Sequence, residues 1–253
     1  MSVVGFDVTD GVAVIVLNRP EARNAIDREM ALGVANAIAR VEMDHDIRVA
    51  VVTGAGDTFC AGMDLKAFLR GEAVKLQGTG LAGMTQAKLT KPFIAAVEGY
   101  ALAGGFELAL ACDLVVASED AKFGLSEVKR GLVANAGGLV RLPRQLPIKI
   151  ASELVLTGDM FPASRLAAHG MVNRLVPAGE ALSAAMEIAR TIAANGPMAV
   201  SVSRRVLNES LGWPLDELFE RQNELTMPVF KSADAREGAA AFAEKRAPVW
   251  RGE

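Results

Sequence analysis

A glycine pair that joins a buried strand to a helix constrains this sequence more than any other feature. It lies in Ala95-Ala96-Val97-Glu98-Gly99-Tyr100-Ala101-Leu102-Ala103-Gly104-Gly105-Phe106-Glu107-Leu108. The apolar run reads as a covered strand, and a helical pattern opens at the glycines. A helix start leaves backbone N–H groups without intrahelical partners, and the dipole places partial positive charge there. Glycine lets a ligand approach the backbone without meeting a Cβ. Gly104 can therefore offer its N–H to a developing negative oxygen, with Glu107 one turn into the same helix. Taken alone, a turn whose glycines serve only tight packing explains this stretch equally well.

A second carboxylate tips the balance. Glu127 follows Ala121-Lys122-Phe123-Gly124-Leu125-Ser126 and precedes another glycine pair, Gly137-Gly138, that opens another helix. Composition narrows the function classes. A net charge of −3 gives no bias toward polyanions, so nucleic acid is not an expected partner. No run approaches the length of a membrane span, and Met1–Phe6 lacks the pattern of a secretory signal. Cys60 and Cys112 form neither a CxxC motif nor a disulfide framework, as expected in a reducing cytosol. His45 and His169 are too few and too far apart to suggest a metal site or a Ser–His–Asp relay.

Along the chain, Val12–Leu17 reads as a strand stopped by Asn18-Arg19-Pro20, and Asp27 caps an expected helix over Arg28–Glu42. A second strand, Arg48–Thr53, is too apolar to alternate and implies cover on both faces and parallel pairing. Met63 is expected to open a helical segment, and glycine-rich Gly71–Gly83 to be a mobile loop. Beyond Gly138 the pattern turns helical: Lys149–Leu156, Ala163–His169, Gly179–Ala194, Met198–Ser210, Pro214–Met227 and Ala233–Lys245, with a short strand at Val172–Val176. The pattern predicts an α/β domain over residues 1–197 and a helical region over 198–253.

Taken together, IAAVEGYALAGGFELALACDLVVASEDAKFG, Ser126-Glu127, GLVANAGG and Leu156-Thr157-Gly158 resemble the enoyl-CoA hydratase/isomerase (crotonase) superfamily. FCAGMDLK upstream and FAEKRAPVW at the end extend the resemblance over nearly the whole chain, with most likeness to its carnitinyl-CoA dehydratase (crotonobetainyl-CoA hydratase) branch. The resemblance implies a spiral of ββα turns with a C-terminal helical trimerisation region. It also implies a homotrimer or dimer of trimers acting on an acyl-CoA thioester, with coenzyme A as part of the substrate and no separate cofactor. The implied oxyanion donors are the backbone N–H groups of Met63 and Gly104. Glu107 is assigned to the water at the β-carbon and Glu127 to the proton at the α-carbon. Arg23, Ala61, Asp64 and Lys66 are implied around coenzyme A, with Phe242 and Lys245 reaching a neighbouring subunit's ligand. The leading expectation is a cytoplasmic hydro-lyase; a double-bond isomerase or a non-catalytic acyl-CoA binder are the alternatives. Two positions depart from the branch: Met63 stands where tryptophan is frequent, and Val133-Ala134-Asn135 replaces a segment that often begins with proline.

Overall fold

Strands rich in Val, Ile and Ala frame the molecule. A computed structural model describes residues 2–253, so Met1 lies outside the described residues. β1 (Val4–Thr9) and β2 (Val12–Leu17) form a hairpin turned at Asp10-Gly11, both at positive φ (52° and 75°). β1 was not expected from sequence. It is an edge strand whose burial fades toward its end, so its apolar signal is weak. Asp27 caps α1 (Arg28–Met43) by accepting from the Met30 N–H at 2.9 Å, and β3 (Val49–Gly54) pairs parallel with β2.

α2 (Leu65–Leu69), β4 (Lys75–Leu76) and β5 (Gly80–Leu81) follow, then β6 (Phe93–Val97), β7 (Tyr100–Leu102) and α3 (Gly104–Ala111). Next come β8 (Leu114–Ser118), β9 (Lys122–Gly124), α4 (Gly138–Gln145) and α5 (Ile148–Thr157). β10 (Phe161–Pro162), α6 (Ala163–Ala167) and β11 (Arg174–Val176) close the core, and α7 (Ala181–Ala193) packs on it. The tail is α8 (Pro197–Glu209), α9 (Leu218–Phe230) and α10 (Ala233–Glu244).

The large sheet runs β1-β2-β3-β6-β8-β11, parallel from β2 onward, and a small sheet runs β10-β9-β7. Each turn of chain gives one strand to the large sheet, the next to the small sheet, and then a helix: β6, β7, α3, and again β8, β9, α4. β3 begins the same turn, because Cys60 bridges Ala101 of β7 before α2 starts. This is a spiral of the kind that the resemblance implies. Val49 and Val51 face an alanine-lined α7, while Ala50 and Val52 face the opposite core with Phe59, Phe106 and Phe123. Cover on both faces explains why β3 does not alternate.

Three local expectations change. Met63 opens no helix: α2 starts at Leu65, because Asp64 accepts from the Lys66 and Ala67 N–H groups as its cap. The segment 71–83 carries the β4–β5 hairpin and buries Val74, Leu81 and Ala82, so it is anchored rather than free. The helix expected from Pro214 begins at Leu218, after a turn at Pro214–Glu217, and runs through Pro228 to Phe230.

The tail has a different surface from the core. No residue of α8 or α9 is buried, and Leu215, Phe219, Phe230 and Phe242 are each at least 75% exposed. The last residues nevertheless fold back: the Arg251 and Gly252 N–H groups donate to Asp234 at 2.8 and 2.9 Å, and Trp250 Nε1 donates to Ala194 O at 2.7 Å. Among the described residues no helix is long and apolar enough to cross a membrane.

Asp27 both caps α1 and pairs with Arg19 at 2.9 Å. Asp27→Ala is expected to lower unfolding free energy by about 1–2 kcal/mol, the size of a lost N-cap. Urea denaturation checks this; an unchanged midpoint would show that the cap carries no weight.

Candidate active site

The site begins where the strand after β3 meets the start of α3. Cys60 N donates to Tyr100 O at 2.9 Å and Leu102 N donates to Cys60 O at 2.9 Å, laying segment 60–63 beside β7. Ile26 ties the other side: its N–H donates to Gly62 O at 2.7 Å and its carbonyl accepts from Asp64 N at 2.9 Å. That parallel bridge uses Ile26's own groups and leaves the Met63 N–H pointing away from Ile26, toward α3. Packing there is tight. A Cβ on Gly62 (φ 98°) would fall 3.0 Å from the Gly104 nitrogen, and one on Gly105 would fall 2.2 Å from Cys60 O. A Cβ on Gly104 would lie 3.6 Å from the Met63 nitrogen. Gly104 is the first residue of α3, so its N–H has no intrahelical partner. Two backbone donors thus stand side by side, with no backbone acceptor for either among the described residues.

Ala103, just before them, has φ 48° and ψ −123°, a conformation that costs a non-glycine residue of order 1–3 kcal/mol. Its neighbours enforce it. The Ala103 N–H donates to Gly124 O at 2.7 Å, and its carbonyl accepts the first α3 bond from Glu107 N at 3.0 Å. No sequence signal marks this strain.

Glu107 is 3% exposed, and Oε1 accepts from the Ala136 and Gly138 N–H groups at 2.7 and 2.9 Å. Gly138 must be glycine for this approach, since a Cβ would press within 3.0 Å of Ala134 and 3.2 Å of Oε1 itself. Burial pushes the Glu107 pKa above the ordinary carboxylate value, against the pull of the two N–H donors, Lys75 and Arg141. Glu127 opens a single 3₁₀ turn, Glu127–Arg130, after β9. Its Oε2 is buried with no hydrogen-bond partner among the described residues. Burial, with the nearby Glu107 charge, pushes its pKa up to about 7, against its own N–H and Arg130.

A cavity of about 670 Å³ joins these groups. Its lining brings together Arg23, Ala61, Met63, Gly104, Glu107 and Glu127. Other sequence candidates stand apart from it. Asp64 caps α2 and pairs with Arg19 at 3.2 Å, which holds its carboxyl below the usual range against its own burial. Lys66 is exposed on α2, and Phe242 and Lys245 lie at the end of α10, outside this chain's own cavity. Sequence reasoning missed Leu81, Lys75 and Arg130 in the lining. Leu81 and Lys75 belong to the hairpin read as a loop, where no periodicity marks them. Among the described residues no cluster of His, Cys, Asp or Glu is arranged to hold a metal ion.

The sequence profile of the family "Enoyl-CoA hydratase/isomerase" matches residues 7–253. Enoyl-CoA hydratase EchA19 of Mycobacterium tuberculosis is 45% identical over 242 residues, covering 93% of this chain and 91% of that protein. A carnitinyl-CoA dehydratase of Salmonella typhi is 42% identical over 246 residues, 94% of each. A crystal structure of enoyl-CoA hydratase from Mycobacterium tuberculosis matches with TM-score 0.98 at 52% identity, covering all of both chains.

The raised pKa of Glu127 has a consequence for stability. Its protonated form is favoured in the folded state, so that contribution is complete below the ordinary glutamate value of about 4.5. It is lost as pH rises toward the folded value of about 7. Glu127→Gln, which stays neutral, is therefore expected to raise the melting temperature at pH 8 and leave it nearly unchanged at pH 4.5. Equal effects at both pH values, by calorimetry, would rule out an ionised, destabilising Glu127.

Proposed function

The chain belongs to the enoyl-CoA hydratase/isomerase family, and from that premise we propose that its cavity adds water across the double bond of a 2-enoyl-CoA thioester. The observation that carries this reading is the meeting of two unpartnered backbone donors and two unlike carboxyl groups on one cavity. The thioester oxygen accepts from the Met63 and Gly104 N–H groups, which need no reorganisation as enolate charge builds there. Water held between the carboxyl groups loses a proton to Glu107 as its oxygen bonds to the β-carbon. Glu127, whose pKa burial pushes up to about 7, gives a proton to the α-carbon. Passage of the proton from Glu107 to Glu127 resets the pair, and dehydration runs the same steps in reverse.

Arg23 and the Ala61 backbone, on the cavity wall, suit the coenzyme A portion, and Lys66, exposed on α2 next to the lining residue Leu65, is the candidate phosphate contact. Asp64 acts indirectly, by capping α2 and holding Arg19. Coenzyme A enters as part of the substrate, with no separate cofactor. Crotonobetainyl-CoA and carnitinyl-CoA are candidate substrates, supported by the likeness to a carnitinyl-CoA dehydratase. Isomerisation is the second reading, because a Glu127 that titrates near neutrality suffices to move a proton at the α-carbon.

Residues 198–253 form an oligomerisation region in this reading, appended to the 1–197 core. Support comes from the exposed Leu215, Phe219 and Phe242, which would leave an unusually apolar surface on a monomer. A homotrimer or a dimer of trimers would cover them and bring Phe242 and Lys245 to a neighbour's substrate. We assign the protein to the cytoplasm.

Glu107→Gln keeps size but cannot exchange a proton, and hydration is expected to fall by ~10²–10⁴-fold while thioester binding persists. Glu127→Gln should suppress hydration and isomerisation together. Rates on a panel of enoyl-CoA thioesters, with affinity as the control, check both; hydration unaffected by Glu107→Gln would favour the isomerase. Deleting the chain from Ala233 should loosen the oligomer and weaken CoA-ester binding together. A monomeric, fully active truncated protein in sedimentation and assay would refute that role.

A further inference from the structure

The N–H groups that hold Glu107 belong to a loop, residues 135–138, that bends sharply into α4 with Gly137 at φ 121°. Arg141, one turn into α4, folds back over that bend. Its guanidinium rests on Gly137 so closely that a Cβ there would fall 2.0 Å from Nη1. Nη2 donates to the carbonyl of Thr85, a fully buried residue whose Oγ1 accepts from the Leu81 N–H at 3.0 Å. The same side chain therefore touches the loop that orients Glu107 and the segment that carries Leu81 into the cavity. Arg141 is half-buried, yet it forms no ion pair among the described residues. A guanidinium taken out of water usually has a carboxylate partner. Here the acid that acts on it most strongly is Glu107, through space.

We propose that Arg141 is a positioning residue for hydration: it braces the Ala136–Gly138 donors so that Glu107 keeps one oxygen fixed and presents the other to water. The inference rests on the hydratase reading of the site. Charge supports the geometry. Glu107 faces Lys75 from the β4–β5 hairpin, Arg141 from α4 and Glu127 from the turn after β9, and Arg141 in turn faces Arg144 and Cys112. Lys75 donates to Asn135 Oδ1 at 2.5 Å, so the two cations bracket the loop from opposite ends. Both favour the Glu107 carboxylate against burial. Removing Arg141 leaves burial less opposed, so Glu107 should hold its proton to higher pH.

The test compares the parent enzyme with Arg141→Met and Arg141→Lys. Two readouts are taken: hydration of crotonyl-CoA across pH, and the ¹³C carboxyl titration of Glu107 in the free protein. Arg141→Met is expected to lower kcat by ~10–100-fold, the range for losing a group that orients a reactive one, with KM nearly unchanged. The acidic limb of its kcat/KM profile and the Glu107 titration should both move to higher pH. Arg141→Lys, which keeps the charge but not the planar fork, should restore the pH limb and only part of kcat. An unmoved Glu107 titration with near-parent kcat in a folded Arg141→Met overturns the proposal. So does a loss of activity matched by lost thermal stability with no shift of the pH limb. Should Arg141→Met fail to fold, Arg141→Lys decides: a parent-like kcat, or a kcat lowered together with thermal stability, overturns the proposal, and a lowered kcat with a parent-like pH limb and melting temperature supports it. A parent that hydrates nothing, but whose Glu107 titration moves with Arg141, sinks the hydratase reading and leaves the bracing role standing.

Discussion

Everything at the site depends on how closely segment 60–63 is pressed against the first turn of α3. Gly62 and Gly105 have no room for a methyl group because backbone lies where a side chain would begin, and one on Gly104 would meet the Leu81 side chain at 2.7 Å. The contact is fixed from both sides, by β7 through Cys60 and by Ile26 through Gly62 and Asp64. Only under that constraint do two N–H groups from distant parts of the chain face one point. Donors held this way are oriented before the substrate arrives, and their orientation is supplied by folding rather than by the reaction. The strain at Ala103 belongs to the same contact, since its turn sets the direction in which α3 begins.

Much of this was legible in the sequence. The strand–Gly-Gly–helix pattern gave Gly104 and Glu107 their places, because helix-start chemistry is local. The C-terminal helices were legible too, apart from a shifted start for α9, since apolar spacing at period 3.6 survives without knowledge of neighbours. What sequence could not give is whatever depends on contact between remote segments. β1 went unseen because an edge strand carries little apolar signal. The hairpin at Lys75–Leu81 looked like a loop, because its burial comes from α1 and α3 rather than from its own pattern. The occupation of the Asp64 carboxylate by Arg19 likewise joins segments far apart in sequence and leaves no local signal.

The two carboxyl groups illustrate how one cavity can hold unlike acids. Both are desolvated, which raises both pKa values. Glu107 is then met by two N–H donors and two cations, while Glu127 keeps a buried oxygen with no partner and lies in the field of Glu107. The difference lies in hydrogen bonding and charge rather than in depth alone. A carboxylate whose one oxygen is saturated by fixed donors has little freedom to turn, which suits a group that must meet water at a set angle. A buried carboxyl with one oxygen left without a donor holds its proton to higher pH, which suits a group that must give it away.

That arrangement also accounts for where stability is lost. A buried carboxyl oxygen of Glu127 without a partner among the described residues and a strained alanine line the cavity, and a guanidinium without an ion pair among those residues rests on the loop that holds Glu107. Each is unfavourable locally, and each is held by elements that are otherwise well satisfied: the parallel sheet, the small sheet and the core around Phe59, Phe106 and Phe123. Unfavourable groups scattered over a fold indicate weak packing. Gathered on one cavity and on the loop behind it, beside two backbone donors without a backbone acceptor among the described residues, they mark the place where the structure is shaped by reaction chemistry rather than by its own folding.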